Sequence, residues 1–494
     1  MDSKEYLELI DRVISSGKYK DDWKSLAGHK IPDWYYEGKF GIFIHWGVYS
    51  VPAFANEWYP RAMYDPNDRA YEYHKKTFGD QKVFGYKDFI PRFCGEKFDA
   101  DEWVDLFKRA GAKFVMPVGE HHDGFAMYDT DFNRWNTARM GPRRDVAMEI
   151  KRACEDKGLE FCVSSHRAEH YFFMNMGRAC GGDVEDEEYR DFYGPAFLCP
   201  ELESLNVFPT IADTFSPIRP DEEWLCDWLV RTCEMIDRLK PKILYFDSWI
   251  QNIAFKPYLK KMCAYYYNRA EEWGYDVVIN YKHQAFPPSV AVYDVERGAL
   301  TGINPVPWQT DTAIGRYSWG YTKDNEFKPS RQIICDLIDI VSKNGMLLLN
   351  VGPTPSGTIT EEETRVLTEI GQWLAVNGEG IYGTTPWRKF GEGEVNNVEG
   401  AFQDNDEKGY TSEDFRFTYK DGYLYAFCMK PDSSGFLIKS LAEQGHDDIV
   451  TGTVNVLGDH YKISGTSRDS EGLKIELSGE PLSDKPICFR IEIL

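Results

Sequence analysis

Two adjacent histidines lie between carboxylates in the stretch GEHHDGF, residues 119–125. The stretch follows the apolar run KFVMPV, which predicts a buried strand, so His121 and His122 stand where that strand ends. Imidazoles in such a place could bind a metal ion, move a proton or hold a polar ligand. The two residues alone leave these three chemistries open.

Other predicted strands also end in polar, ionisable side chains. The run KFGIFIHW ends at His45 and Trp46, LEFCVSSH at Ser165 and His166, KILYFD at Asp247, and VAVYDVE at Asp294 and Glu296. In a parallel βα barrel the C-terminal ends of the strands meet at one mouth, where active sites are built. A single strand-end histidine is most often a structural group. Five such strand ends together indicate a site.

Metal binding is the first alternative, because clusters of histidine and carboxylate bind zinc. Adjacent residues on an extended strand point to opposite faces, which would separate His121 from His122. The chain has no HxH, HExxH or GxxxxGK[ST] motif, and the mouth carries several acids, so metal and phosphate chemistry are both disfavoured. We therefore expect no metal and no cofactor. Neutral imidazoles, tryptophans and two carboxylates suit a glycoside instead.

From residue 33 to about 385, apolar runs alternate with amphipathic helical stretches, which predicts a parallel sheet. The clearest helix follows Asp99, which can cap it with Glu102, and ends at Gly111. Further helices are predicted over 145–157, 221–239, 257–273, 330–344 and 360–376. Seven strands are recognisable, in KFGIFIHW, KFVMPV, LEFCVSS, KILYFD, VVIN, VAVYDV and MLLLNV. A closed barrel would need one more. Residues 172–220 are predicted to form a long loop.

After residue 387 the pattern changes to alternation with period two. In DFRFTYKDGYLYAF, apolar residues alternate on both sides of a Lys-Asp-Gly turn, which predicts a hairpin. GLKIELSG and ICFRIEIL alternate in the same way. We therefore predict an α/β protein with two domains, a (β/α)8-like TIM-barrel catalytic domain over 1–387 and an antiparallel β-sandwich over 388–494.

Composition narrows the range of partners. The formal net charge is −23, which disfavours nucleic acid and anionic membranes as partners. Aromatic residues make up 15% of the chain, which fits either a large core or a site that packs sugar rings. The N-terminal stretch shows no signal-peptide pattern, and the eleven cysteines are scattered, so reduced thiols and a cytoplasmic location are expected.

Several longer motifs resemble glycoside hydrolase family 29, the α-L-fucosidases. They are WYYEGKFGIFIHWGVYSVPAFANEWYPRAMY, KFVMPVGEHHDGFAMYDTDFNRWN, GPRRD, ILYFDSW, SWGY, NGMLLLNVGPTPSGTI and NGEGIYGTTPW. They occur in the family's order over residues 33 to about 388. The resemblance implies a (β/α)8-like barrel followed by a β-sandwich, and hydrolysis through a glycosyl-enzyme intermediate on an aspartate.

The resemblance also implies roles for individual residues. The family's nucleophile falls on Asp247, its sugar-binding histidines on His45, His121 and His122, and its Glu-Trp pair on Glu57 and Trp58. The complete set of predicted sugar-binding residues is His45, Glu57, Trp58, His121, His122, His166, Trp249, Arg297 and Trp308. On this interpretation, His121 and His122 bind hydroxyl groups of the sugar.

Two positions depart from the family's pattern. Many members carry their acid/base glutamate in a Trp-Glu pair before SWGY, where this chain has Gln309. An amide cannot transfer the catalytic proton, so we predict Glu296 as the acid/base, with Glu57 and then Asp311 as alternatives. The second departure is in VSSHRAEHY, where many members have tyrosines before the serine and this chain has Ser164 and Ser165. His166 is expected to supply a contact there.

The leading hypothesis is a retaining exo-α-L-fucosidase that acts on fucosylated oligosaccharides or glycoconjugates. A second hypothesis is a hydrolase of a related sugar, such as an α-L-galactoside. A third is a fucose-binding protein whose catalysis is weak or lost, which Gln309 suggests. Turnover of an activated aryl fucoside separates the third hypothesis from the others, because a good leaving group needs little acid assistance.

Overall fold

The computed structural model describes residues 1–198, 214–216, 218–404, 407–432, 434–443, 451–478 and 484–494. Within these residues, parallel strands from the first part of the chain close into an eight-stranded barrel, because the first strand pairs with both the second and the last. The barrel strands are β1 Phe40–Ile44, β2 Phe114–Glu120, β3 Glu160–Phe161 with β4 Val163–Ser165, β5 Ile243–Phe246, β6 Val278–Tyr281, β7 Val292–Asp294, β8 Trp308–Ala313 and β9 Gly345–Val351. The predicted fold class is confirmed.

Amphipathic helices surround the barrel and match the predicted periodicity. The longer helices are Ser3–Ser16, Arg69–Thr77, Ala100–Arg109, Val146–Lys157, Glu222–Leu239, Lys256–Trp273, Ser330–Ser342 and Glu361–Asn377. Asp99, Asp145 and Asp221 each accept a hydrogen bond from a backbone N–H in the first turn of the helix that follows, so the carboxylates satisfy donors that would otherwise be unpaired. Among the described helices, none combines the length and apolar character that crossing a bilayer requires.

Shorter helical segments lie mainly in the loops at the mouth of the barrel. The α-helical ones are Trp23–Leu26, Asp33–Gly38, Tyr59–Ala62, His170–Phe173, Asn175–Ala179 and Arg190–Tyr193. The 3₁₀ segments are Val48–Ser50, Tyr86–Arg92, Arg167–Glu169, Asp183–Glu185, Glu187–Tyr189, Ile253–Phe255, Gly378–Gly380 and Lys439–Leu441. Helical turns therefore occupy much of the region predicted as a loop over 172–220, and its residues 199–213 and 217 lie outside the described part of the chain.

The barrel strand absent from the sequence-based prediction is β8, Trp308–Ala313. All six of its residues are buried, although its sequence is WQTDTA. Its polar side chains are satisfied inside the barrel, where Gln309 donates to Asp294 at 2.7 Å and Asp311 accepts from the Tyr245 hydroxyl at 2.9 Å. A strand with this polar content lacks the apolar run by which the other barrel strands are recognised.

The C-terminal part of the described chain forms two antiparallel sheets that share one hydrophobic core. The first sheet contains β10 Thr385–Glu392, β11 Phe415–Lys420, β12 Tyr423–Cys428, β14 Thr451–Val456 and β17 Ile487–Ile493, and the second contains β13 Gly435–Ile438, β15 Lys462–Arg468 and β16 Leu473–Ser478. The predicted hairpin is confirmed as β11 and β12. Asp421 and Gly422, which join these strands, have φ of 49° and 85°, as a two-residue hairpin turn requires.

A buried ion-pair network ties this β domain to the barrel. Asp339, on the helix Ser330–Ser342, accepts from Arg416 of β11 at 2.5 Å and from Lys343 at 2.8 Å. Asn397 donates to the same carboxylate. Asp339, Lys343 and Arg416 are at most 1% exposed, so each charge depends on its partners for stabilisation. The β domain is thereby fixed against one side of the barrel.

Candidate active site

A cleft of about 250 Å³ opens at the C-terminal ends of the barrel strands. Its lining residues come from several different strand ends and loops, as in other enzymes with this architecture. They are His45, Asn56, Glu57, Trp58, His121, His122, His166, Glu169, Asp247, Ser248, Lys282, Glu296, Asp311, Trp319 and Phe402. The cleft therefore brings together most of the residues that the sequence predicted as catalytic or sugar-binding.

Asp247 follows β5 and lies at the centre of a ring of hydrogen-bond donors. Its Oδ2 is 3.0 Å from His166 Nδ1 and 3.3 Å from His122 Nε2, and its Oδ1 is 3.0 Å from Lys282 Nζ. Burial alone would raise the pKa of this carboxyl. Lys282 and the two histidines outweigh burial and hold the pKa well below its ordinary value, so Asp247 is ionised at neutral pH.

Lys282, which directly follows β6, connects Asp247 to Glu296. Its ammonium group lies 2.8 Å from Glu296 Oε2 and 3.5 Å from Asp311 Oδ2, in addition to its contact with Asp247. The distances from Lys282 Nζ to Asp247 and to Glu296, placed end to end, give a span comparable with the roughly 5–5.5 Å between the two catalytic carboxyls of retaining glycosidases. The same span is shorter than the roughly 6.5–9.5 Å typical of inverting enzymes.

Glu296 has an environment opposite to that of Asp247. Burial raises its pKa to about 7, and the negative charge of Asp247 acts in the same direction, while Lys282 opposes both. Two carboxyls in one cleft therefore have pKa values pushed far apart. This division is the usual basis for separating a nucleophile from a proton donor.

The two histidines after β2 both line the cleft, contrary to the prediction that they point to opposite faces. β2 ends at Glu120, so His121 and His122 belong to the following turn, where strand alternation no longer applies. Their ring centroids are 4.4 Å apart. Burial opposes a charge on His122, but Glu169 and Asp247 outweigh it and raise its pKa to about 9.

The remaining histidines of the cleft are neutral, because burial lowers the pKa of His45, His121 and His166. His45 Nδ1 lies 2.7 Å from the Asn350 side-chain oxygen, which can only accept, so Nδ1 carries the proton and Nε2 is left as an acceptor. In the same way, His166 donates from Nδ1 to Asp247 and accepts at Nε2 from the Ser164 hydroxyl at 2.9 Å. The cleft thus offers both donors and acceptors to ring hydroxyls.

Glu57 and Trp58 also line the cleft. Glu57 Oε2 accepts from the Ser318 hydroxyl at 3.1 Å and from the Trp319 backbone N–H at 2.9 Å. The Trp58 ring packs edge-on against His122, with centroids 5.4 Å apart. Trp319 lies beside His45 at 5.2 Å. The carboxylate of Glu57 is therefore held by fixed donors, and the two indoles supply apolar walls.

Three of the predicted sugar-binding residues lie outside this cleft, and so does Gln309. Trp249 is fully buried among Tyr171, Phe172 and Phe255. Trp308, in β8, is also fully buried and donates to the backbone carbonyl of Lys343. Both have their side chains in the hydrophobic core, because apolar packing, rather than position at a strand end, decides their direction.

Arg297 and Gln309 are also absent from the lining of the cleft. Arg297 donates to the backbone carbonyls of Gly315 and Arg316, and its guanidinium lies behind Trp319 at 4.9 Å from the ring centroid. Gln309 is fully buried inside the barrel, bonded to Asp294 and to the Tyr35 hydroxyl. Gln309 therefore belongs to the barrel interior, and its lack of an acidic group leaves the carboxyls of the cleft unchanged.

Sequence reasoning did not assign roles to Lys282, Glu169 and Trp319. Glu169 is buried in the cleft wall with its pKa raised by burial to about 7, and its Oε2 is 3.5 Å from His122 Nδ1. Lys282 lies two residues after the recognised strand VVIN, so attention to the residues that follow each strand, as at Asp247, would also have found it. Trp319 belongs to the motif SWGY, which was noted without a role.

Two sets of side chains within the described residues have donor atoms close enough to hold a metal ion. They are His45 with His121 and His166, and His122 with His166 and Asp247, and in each set the ligand atoms lie within 4.8 Å of one another. In both sets His166 Nδ1 or Nε2 already has a protein partner, in Asp247 or Ser164. The expectation of a metal-free site therefore stays a prediction.

The sequence profile of the alpha-L-fucosidase family matches residues 8–379. The chain belongs to this family. This fucosidase chain is 30% identical to the tissue alpha-L-fucosidase of Mus musculus over 498 residues, which cover 97% of the chain and 94% of the relative. It is 28% identical to the tissue alpha-L-fucosidase of Homo sapiens over 77% of the chain and 75% of that relative. It is accordingly a glycoside hydrolase.

Solved structures agree with this assignment. The alpha-fucosidase of Thermotoga maritima superimposes with a TM-score of 0.73 at 28% identity, covering 96% of this fucosidase chain and 100% of the other. The same enzyme in complex with fucose gives a TM-score of 0.72 at 27% identity, with coverage of 96% and 99%. Both the barrel and the C-terminal sheets are included in these alignments, since they span nearly the whole chain.

Proposed function

We propose that the protein is a retaining exo-α-L-fucosidase that removes terminal α-L-fucosyl residues from oligosaccharides or glycoconjugates by double displacement. The observation that carries the proposal is the pair formed by Asp247 and Glu296. The two carboxyls contact the same ammonium group, yet one is held ionised and the other has its pKa raised to about 7. Double displacement requires one carboxylate and one carboxylic acid roughly 5–5.5 Å apart, and the shared contact with Lys282 keeps these two carboxyls close together.

In the first step, a carboxylate oxygen of Asp247 attacks the anomeric carbon. The bond from that carbon to the leaving-group oxygen breaks, and Glu296 donates its proton to that oxygen. His122 and His166 hold the attacking carboxylate in place through their bonds to Oδ2. Neutral His45 and His121 are then available to bind fucose hydroxyls, with Trp58 and Trp319 against the apolar parts of the sugar.

In the second step, water attacks the anomeric carbon and the bond to Asp247 breaks. Glu296 must now accept a proton from that water. Its pKa favours this change of role, because the negative charge of Asp247 helps to raise the pKa of Glu296 and disappears once Asp247 is esterified. Lys282 remains beside Glu296 and favours its ionised form. The carboxylate of Asp247 is regenerated when fucose leaves.

The hypothesis of a fucose-binding protein without catalysis rested on Gln309. Because Gln309 lies in the barrel interior, it no longer supports that hypothesis.

Glu57 is the less favoured acid/base, because its carboxylate already accepts two hydrogen bonds from Ser318 and Trp319. An anchoring role for Glu57 in the sugar site follows.

The test compares Glu296→Ala with Glu57→Ala on two classes of substrate. Glu296→Ala should be severe for fucosides with sugar leaving groups and milder for activated aryl fucosides, which need little proton assistance. Azide should partly restore its activity on the aryl fucoside. Glu57→Ala should lose activity on both classes alike.

Proton NMR of the first-formed sugar supplies the second readout. The α-anomer of fucose should appear before mutarotation, since two inversions restore the original configuration. First formation of the β-anomer would refute double displacement. A wild-type protein that releases no fucose from either substrate class would refute the fucosidase proposal as a whole.

A further inference from the structure

Phe402 combines three unusual properties. It lines the cleft, its side chain is 60% exposed, and its backbone adopts φ of 56°, a left-handed conformation that a bulky residue rarely takes. Asn or Gly would suit this backbone better, and a polar side chain would suit the exposure better. A residue whose backbone conformation and solvent exposure are both unfavourable for its type is a candidate for a functional role.

The segment that carries Phe402 is hydrogen-bonded to the loop that follows β7 and carries Glu296. The Phe402 N–H donates to the carbonyl of Glu296 at 3.0 Å, and the Gln403 N–H donates to the carbonyl of Arg297 at 2.8 Å. Ala299 and Gly400 also pair in antiparallel fashion. Phe402 therefore has a fixed position relative to the proton donor, although it lies far along the chain in the β domain.

Asp404, two residues after Phe402, also binds this segment to the barrel. This buried carboxylate accepts from Lys328 Nζ at 2.5 Å and from the Thr312 hydroxyl, and Arg297 lies 3.9 Å away. Lys328 is fully buried, and Thr312 belongs to barrel strand β8. Backbone pairing and a buried ion pair thus hold both ends of the short segment, which lets it present an exposed aromatic ring without a core around it.

The position of Phe402 identifies what the ring would contact. The deepest residues of the cleft, His45, His121 and His122, are only 2–3% exposed, so Phe402 lies at the rim. The acid/base must reach the glycosidic oxygen, and the part of the substrate beyond that oxygen is the leaving group. A ring next to Glu296 at the rim therefore faces the leaving group rather than the fucose.

We propose that Phe402 is the contact surface for the leaving-group sugar, packing its ring against the C–H face of a pyranose bonded to fucose. The proposal rests on the function proposed above and deepens it. It makes the β domain a contributor to substrate specificity, because a residue from that part of the chain forms one wall of the cleft. Aromatic side chains suit this use, since they offer a large, rigid apolar face.

The experiment compares Phe402→Ala, Phe402→Asn and Phe402→Trp on two substrates. One is a fucosylated disaccharide, and the other is α-L-fucosyl fluoride, whose leaving group offers nothing for a ring to contact. The Ala and Asn variants should lose about threefold to tenfold in kcat/KM on the disaccharide and keep the wild-type value on the fluoride. The Trp variant should retain activity on both. Val398→Ala, which removes a 66% exposed side chain nearby, is the matched control and should change neither.

Thermal unfolding separates this role from a structural one. The Asn variant should unfold at or above the wild-type temperature, because Asn tolerates φ of 56°. Unchanged disaccharide kinetics in the Ala and Asn variants would overturn the proposal. An equal loss on both substrates would also overturn it, by showing that Phe402 acts through the Glu296 loop. If the wild-type protein fails on the fluoride itself, the fault lies in the proposed fucosidase function.

Discussion

Replacing Lys282 by Met should shift the whole pH profile of the enzyme upward. The ammonium group of Lys282 lies about equally close to Asp247 and Glu296, at 3.0 and 2.8 Å, and is almost completely buried. Burial raises the pKa of both carboxyls, and Lys282 is the strongest influence that lowers them. Met has a similar length and no charge, so the substitution removes the cation while leaving the volume nearly filled.

The size of the shift follows from the geometry. A unit charge within about 4–6 Å of a buried carboxyl typically changes its pKa by about 1–3 units, which corresponds to about 1.4–4 kcal/mol. In the proposed mechanism, activity requires Asp247 ionised and Glu296 protonated. Both the acid limb, set by Asp247, and the alkaline limb, set in the wild type by a Glu296 pKa of about 7, should therefore move upward by about 1–3 units.

The assay is kcat/KM for an aryl fucoside measured from about pH 4 to pH 10, with Lys261→Met as the matched control. Lys261 is partly exposed and pairs with Asp11 at the surface, so its loss should leave both limbs in place. Limbs of Lys282→Met that coincide with those of the wild type would refute the reasoning, because the pKa values of the two carboxyls would then not depend on this cation.

The same variant should show a changed dependence of stability on pH. Without Lys282, the folded-state pKa of Glu296 should lie still further above its ordinary value of 4.5, and the pKa of Asp247 should rise from its lowered position. The folded state then binds more protons than the unfolded state, so the free energy of unfolding should fall as pH rises from about 4 through the raised pKa values. Urea unfolding at pH 5 and pH 8 measures this loss, and an equal change in the wild type would contradict it.

Three further predictions concern the nucleophile, the metal question and the domain contact. Asp247→Ala should lower kcat by several orders of magnitude with the fold intact, and azide should partly restore turnover of an aryl fucoside; more than about a tenth of the wild-type kcat would exclude Asp247 as nucleophile. His121→Ala should mainly raise KM, and a strong chelator should leave wild-type activity unchanged, whereas a loss that zinc reverses would establish a metal site. Asp339→Ala should lower the free energy of unfolding by about 3–5 kcal/mol, because it leaves Arg416 and Lys343 buried without their partner, and a loss below about 1 kcal/mol in urea unfolding would show that this network contributes little.

The sequence by itself determined the architecture and the place of Asp247 at the end of a barrel strand. Strands such as GMLLLNV are recognisable because both faces of a barrel strand are buried, so nearly every position must be apolar. Helices that follow Asp99, Asp145 and Asp221 are recognisable from their caps and their apolar spacing. Since strand ends in such a barrel meet at one mouth, Asp247 and Glu296 could be assigned to the same cleft before any coordinates.

Only the tertiary structure decided which polar residues face the cleft. β8 escaped detection because Gln309 and Asp311 are satisfied by partners from β7 and β5, and a sequence does not show partners that come from distant strands. Trp249 and Trp308 are of a residue type that often packs against sugar rings, yet both side chains lie in the hydrophobic core.

Long-range contacts also set the chemistry of the groups that do reach the cleft. The pKa values of Asp247 and Glu296 depend on Lys282, which follows a different strand from either. Phe402 meets Glu296 although about a hundred residues separate them, because backbone hydrogen bonds join this part of the β domain to the loop that carries Glu296. Local patterns thus determine which elements form, whereas the partners of a polar group are decided by contacts between elements far apart in the chain.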